Sequence, residues 1–101
     1  MTGFRIESAG PGRLAASGEL SFATAAAALD AGLRLMGPGQ ALTVDLAGVT
    51  SGDSAGLAVL VEWLSAAQAR GAALAYAAVP AQILAVARIS GLAELLVPQS
   101  S

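Results

Sequence analysis

The chain has 101 residues, of which 55% are hydrophobic and 12% are charged, and its formal net charge is -2 at pH 7. This length suits one domain spanning residues 1–101, and the high apolar content excludes intrinsic disorder. The five basic residues are all arginines and do not cluster, which excludes an electrostatic nucleic-acid binder. Without cysteine or histidine there are no disulfides, no thiolate or imidazole metal ligands and no histidine base.

The hydropathy of the chain is high but does not indicate a transmembrane segment. Mean hydropathy is +0.69, yet no stretch approaches the ~18 uninterrupted apolar residues of a membrane-spanning helix, and Glu62 interrupts the best candidate. Residues 1–8 lack a basic segment followed by an apolar one, so no secretory signal is expected. A cytoplasmic location is therefore predicted.

The first third of the chain predicts a β-hairpin followed by a helix. Apolar and polar residues alternate over 4–8, a turn is expected at Gly10-Pro11-Gly12, and a returning strand covers 13–17 and ends at 18–20. Ser21 is the expected cap of a helix that runs through Ala25 to about Met36. The apolar stripe of this helix is predicted to include four side chains: Phe22, Leu29, Leu33 and Met36.

The middle of the chain predicts a strand, a polar loop and the longest helix in one unit. Leu42, Val44 and Leu46 alternate with polar residues, and residues 47–53 are small and polar with two glycines. After that loop, apolar residues recur at helical spacing, and either Asp53 or Ser54 is the natural N-cap. The predicted core face of the long helix consists of Leu57, Leu60, Val61 and Leu64.

The last third predicts one more strand and one more helix. Residues 72–77 form the strand, and Pro80 suits the first position of a helix that stops near Gly91. The tail from Leu92 to Val97 fits either a short edge strand or a last helical turn, and Pro98 closes it. The alternating order of strands and helices indicates parallel strands joined by crossovers. We therefore predict an α/β fold with a mixed four- to five-stranded sheet, an N-terminal hairpin and three to four helices mainly on one face.

Ser54 has two interpretations. It fits a helix cap, which contributes about 1 kcal/mol to stability. It also fits a contact or phosphate-acceptor residue, because a helix N-terminus carries partial positive charge and free amides. Catalysis by Ser54 is not expected, since the chain has no histidine or lysine to take its proton and Asp53 is a poor base at neutral pH.

Trp63 also has two interpretations. At about 100° per residue it falls with Val59, Ala66 and Arg70 on a second face of the long helix, outside the predicted core stripe. A neighbouring helix covers it in one interpretation. In the other, Val59, Ala66 and Trp63 form an exposed apolar patch rimmed by Glu62 and Arg70, which is typical of a protein-binding surface.

The middle unit resembles a known family. Val44-Asp45-Leu46 is followed by Val49, and the long helix opens with Asp53-Ser54-Ala55-Gly56-Leu57. These residues resemble the STAS domain of bacterial anti-sigma factor antagonists, and the resemblance covers nearly the whole chain. In antagonists, the serine matching Ser54 is phosphorylated by a kinase that is also the anti-sigma factor, and the phosphate switches partner choice. Further matching segments are Gly18-Glu19-Leu20, Arg70-Gly71 and Ile89-Ser90-Gly91-Leu92.

A second branch of the family is more similar. The run from Gly56 to Leu64, and Pro80-Ala81-Gln82 leading into residues 87–91, resemble the cytoplasmic STAS subunit of Mla-type phospholipid ABC transporters. In that branch the domain binds the transporter's ATPase subunit and supports its activity. The position matching Ser54 is usually threonine there and lies at the partner interface.

The resemblance implies a function and a set of contact residues. We expect a non-enzymatic adaptor for the ATPase subunit of such a transporter, without cofactor or metal, that reaches the inner membrane only through its partner. The alternative is an anti-sigma factor antagonist that binds a serine kinase and is switched by phosphorylation of Ser54. The expected partner-binding residues are Asp53, Ser54, Gly56, Val59 and Trp63.

Overall fold

The computed structural model describes residues 3–96, which form one layer of strands and one layer of helices. The strands are β1 (Phe4–Ser8), β2 (Arg13–Leu20), β3 (Ala41–Gly52) and β4 (Ala73–Ala77). The helices are α1 (Ala25–Leu35), α2 (Ser54–Ala69), α3 (Ala81–Ile89) and α4 (Ala93–Leu96).

The strands form one mixed sheet in the order β1-β2-β3-β4. β1 and β2 pair antiparallel across a turn in which Gly10 and Gly12 adopt positive φ angles of 123° and 70°. β2 pairs parallel with β3, and β3 pairs parallel with β4. The predicted α/β fold with an N-terminal hairpin is therefore confirmed.

The helices cover one face of the sheet. The alternate strand residues that face them are buried, including Leu14 on β2, Val44 and Leu46 on β3, and Tyr76 on β4. The Tyr76 hydroxyl donates a 2.6 Å hydrogen bond to the carbonyl oxygen of Leu60, which fixes α2 on the sheet. Polar and small side chains occupy the opposite face, as the alternating sequence pattern indicates.

β3 is longer than predicted, and most of the expected loop at 47–53 belongs to it. The strand continues to Gly52 because residues 48–52 pair with residues 17–20 of β2, through two irregularities in register. A Cβ at Gly48 would lie 2.9 Å from the carbonyl oxygen of Ala16, and one at Gly52 would collide with Ile83. The two glycines therefore allow close packing within the strand rather than marking a loop.

Helix α1 begins later than predicted. Thr24 is its N-cap and Ser21 lies in the preceding turn, where its amide donates a 3.0 Å hydrogen bond to the Thr24 hydroxyl. Phe22 therefore lies outside the helix with 86% of its surface exposed, so its predicted place in the apolar stripe is wrong. At the other end of the chain, the tail forms the helical turn α4, while Val97 and Pro98 lie outside the described residues.

Candidate functional site

Asp53 is the residue that caps α2. Its Oδ1 accepts hydrogen bonds from the amides of Ala55 at 2.9 Å and Gly56 at 3.1 Å. These amides belong to the first turn of the helix and have no partner within it. Of the two predicted caps, the structure therefore selects Asp53.

The second carboxylate oxygen of Asp53 ties α2 to the segment before α1. Its Oδ2 accepts a 3.1 Å hydrogen bond from the amide of Phe22, 31 residues earlier in the chain. The hydrogen bonds from Phe22, Gly56 and Ala55 all favour the ionised carboxylate and hold the pKa of Asp53 below its ordinary value of 3.8. The carboxylate is thus a positioning group that fixes the exposed Phe22 beside the start of α2.

Ser54 is the first residue of α2 and is exposed. Within residues 3–96, no hydrogen bond engages its hydroxyl, since Asp53 supplies the cap. The hydroxyl is therefore available to a partner or to a modifying enzyme. Replacing it would remove no hydrogen bond within residues 3–96.

Gly56 is buried and has a packing role. A Cβ at this position would collide with the carbonyl oxygen of Leu20 at the end of β2. Only glycine lets the first turn of α2 approach β2 this closely. Gly56 therefore places Ser54 but presents no side chain of its own to a partner.

Val59 and Trp63 are in the core, so the predicted exposed patch is wrong. Their exposed fractions are 4% and 0%. The indole of Trp63 packs where Gly32 leaves room on α1, and its Nε1 donates a 3.2 Å hydrogen bond to the carbonyl oxygen of Leu29. The Phe4 ring lies 6.0 Å away between centroids. Helix α1 and strand β1 therefore cover the tryptophan, as the first of its two interpretations held.

Over residues 54–62 of α2, the exposed residues are Ser54, Ala58 and Glu62, spaced by four, and we call these three the α2 ridge. The spacing of four residues is the sequence signal for this surface, because positions four apart lie on one side of a helix. An apolar groove runs on each side of the ridge. Ala58 and Glu62 border both grooves.

The two grooves differ in their second wall. The α1 groove has a volume of about 250 Å³ and is walled by Ala25, Ala26 and Leu29 of α1. The α3 groove has a volume of about 340 Å³ and is walled by Val86 of α3 and by Ser90 and Leu92, which follow that helix. Ser54 itself lines the α3 groove, so a partner seated there would contact it.

The structure gives no sign of metal chemistry or of a membrane span in its described part. Among residues 3–96, no three acidic side chains come together as a metal site would need. No helix in the same range is long and apolar enough to cross a membrane.

Both the sequence and the fold are similar to known proteins. A family model described as "Mlab, STAS domain" matches residues 5–98. A solved structure, the crystal structure of a sulfate transporter family protein from Wolinella succinogenes, superposes with a TM-score of 0.63 at 20% sequence identity. The match covers 91% of this chain and 75% of that chain, and at this identity it supports the fold alone. No individually curated protein matched the sequence.

The family match spans nearly the entire chain and includes the ridge, both grooves and the capped start of α2. The structural match supports the same architecture of a mixed sheet with helices on one face. STAS domains are generally non-enzymatic binding domains that occur in transporter-associated proteins and in anti-sigma factor antagonists. The chain belongs to the STAS domain family.

Proposed function

We propose that this STAS domain is a non-enzymatic adaptor that binds the ATPase subunit of an Mla-type phospholipid ABC transporter through the α2 ridge and its grooves. The observation that carries the proposal is the match of residues 5–98 to the family model described as "Mlab, STAS domain". The adaptor would lie in the cytoplasm and meet the inner membrane only through the ATPase.

The open shape of the grooves supports a protein partner rather than a lipid cargo. Small-molecule sites usually occupy ~300–1,000 Å³ and enclose most of their ligand. The α3 groove, at about 340 Å³, is at the low end of that range and the α1 groove, at about 250 Å³, is below it, but both are open along the surface and enclose little. Such shallow, apolar depressions suit the side chains of a docked protein and not a whole phospholipid.

The chemistry around Ser54 supports binding rather than catalysis. A serine nucleophile needs an adjacent base to take its proton. The neighbouring carboxylate, Asp53, accepts hydrogen bonds from three backbone amides and has a lowered pKa. A carboxylate stabilised in this way is a weaker base than an ordinary one, so the hydroxyl acts as a contact group.

A bulky charged substitution on the ridge tests the docking surface. Ala58→Arg places a long side chain between the grooves and should reduce capture of the co-expressed ATPase subunit at least tenfold, because the partner can no longer approach α2. Ala69→Arg, at the exposed C-terminal end of the same helix, is the matched control and should leave capture within about twofold of wild type. Equal capture by both variants would rule out the ridge as the docking surface.

A second candidate function is supported by the free hydroxyl of Ser54. An exposed, uncommitted serine at a helix N-terminus is accessible to a kinase, and a phosphate beside the Asp53 carboxylate would add repulsion and change the binding surface. The chain would then be an anti-sigma factor antagonist. Phosphate transfer from an anti-sigma serine kinase to wild type, lost in Ser54→Ala, together with no capture of the ATPase, would favour this function over the adaptor.

A further inference from the structure

Glu62 is an isolated charge between two apolar grooves. It borders both the α1 groove and the α3 groove, and no other residue lining them within the described range carries a charged side chain. The remaining lining consists of alanine, leucine, valine and serine. A partner on the α2 ridge therefore meets one carboxylate flanked by apolar surface on both sides.

The described residues supply no counter-charge to Glu62. Among residues 3–96 the ion pair is that of Asp30 with Arg34 on α1, at 2.9 Å. The positions one turn before and after Glu62 on α2 are Ala58 and Ala66, so the helix offers no basic neighbour. The carboxylate is exposed and unpaired in the described part of the molecule.

The arginines either donate hydrogen bonds within the fold or lie away from the residues that line the grooves. Arg70 donates hydrogen bonds of 2.9 Å to two carbonyl oxygens at the C-terminal end of α1. Arg88 lies about 160° around α3 from Val86, the residue that walls the groove, given ~100° per residue. The remaining arginines belong to β1, β2 and α1: Arg5, Arg13 and Arg34. Since no basic group of residues 3–96 pairs with Glu62, a complementary charge at this position would be supplied by the partner.

We propose that the segment of the ATPase subunit that docks here is an amphipathic helix with a lysine or arginine opposite Glu62 and apolar side chains in the two grooves. This inference rests on the proposed function, because it names the element by which that partner binds. The small Ala58 lets a second helix approach to the ~8–10 Å axis separation usual for packed helices. Apolar residues on both sides of a basic residue then match the two grooves and the carboxylate between them.

The binding affinity of charge variants tests this inference. Glu62→Gln keeps the shape of the side chain and removes its charge, and it should weaken binding to the purified ATPase subunit about tenfold. Glu62→Lys should weaken it about a hundredfold through repulsion. The matched control is Glu7→Gln on β1, an exposed glutamate on another part of the molecule, which should stay within about twofold of wild type.

Salt and charge-swap measurements identify the partner group. Raising salt from ~50 to ~500 mM should weaken wild-type binding and affect Glu62→Gln much less, because screening acts on the charge pair. Replacing one basic residue of the ATPase helix with glutamate should restore Glu62→Lys binding by at least about tenfold.

The failures of the two proposals are distinguishable. If Glu62→Gln binds the ATPase as tightly as wild type and shows the same salt dependence, the basic amphipathic helix is wrong and the adaptor function stands. If the wild-type chain does not bind the ATPase at any salt concentration, the adaptor function fails and this inference fails with it.

Discussion

The two ends of the α1–α2 pair are packed in opposite ways. At the C-terminal end, the indole of Trp63 fills the space that Gly32 leaves, and Arg70 donates to the carbonyl oxygens of Leu33 and Met36. At the N-terminal end, alanines face each other across the α1 groove, and the ridge at Ser54 is exposed. One end is closed by a large side chain and hydrogen bonds, while the other leaves apolar surface open.

This difference means that the residues that stabilise the helix pair and the residues available to a partner lie at opposite ends of it. The closed end holds the largest fully buried side chain of the core, because the indole of Trp63 is 0% exposed and its N–H is paired. At the open end, Ala26, Ala58 and the Ser54 hydroxyl are exposed to solvent, so substitutions at these positions remove little packing. We therefore expect substitutions at the closed end to change unfolding and substitutions at the open end to change partner binding.

The largest expected effect comes from a substitution that removes the packing of the closed end. Trp63→Ala should lower the free energy of unfolding by about 3–5 kcal/mol, because it leaves a cavity between α1 and α2. Denaturant titration measures this loss. The folded fraction should still bind the ATPase within about twofold of wild type, since the tryptophan contributes no exposed surface. A loss below about 1 kcal/mol, or binding abolished in the folded protein, would contradict the assignment of this end to stability.

The smallest expected effect concerns the cap at the open end. Asp53→Asn preserves a capping oxygen but removes the charge, so the free energy of unfolding should fall by about 0.3–1 kcal/mol near neutral pH. The pKa of Asp53 in the folded state lies below its ordinary value of 3.8. The extra free energy of unfolding of wild type over Asp53→Asn is therefore fully present at pH values above 3.8. It should be lost as pH falls through the folded-state pKa.

Denaturant unfolding curves of wild type and Asp53→Asn between pH ~2 and ~7 give the difference in their free energies of unfolding directly. Other carboxylates titrate in this range but are common to the two chains, so the difference reports on Asp53. A wild-type advantage that stays constant or grows as the pH falls below 3.8 would contradict the hydrogen-bond pattern at the cap.

Much of the fold was predictable from local pattern. Apolar and polar residues alternate over 4–8 and 42–46. A period of two is the pattern of a strand with one buried face, so both strands were predictable. Asp53 was a predictable cap because short acidic side chains favour that position. Gly48 and Gly52 favour a loop in the sequence, whereas their close contacts with β2 and α3 depend on tertiary packing and have no local signal.

The burial of Trp63 was not predictable from α2 alone. A single apolar stripe is expected for a helix that packs on one surface. Helix α2 packs on the sheet through Leu60 and against α1 through Val59 and Trp63, so its buried surface is wider than one stripe. The residue that makes this burial possible is Gly32, because a Cβ there would collide with the indole, but a helical glycine alone does not identify the neighbour it admits.

Mapping the bound surface by NMR tests the central claim that the open end is the docking surface. Methyl and amide signals of the isotope-labelled chain would be compared with and without the ATPase subunit. We predict the largest changes at Ala58, Leu29 and Val86, around the α2 ridge, and small changes at Ala73 and Ala75 on β4. Changes concentrated on β4, with the ridge signals unaltered in a formed complex, would contradict the account.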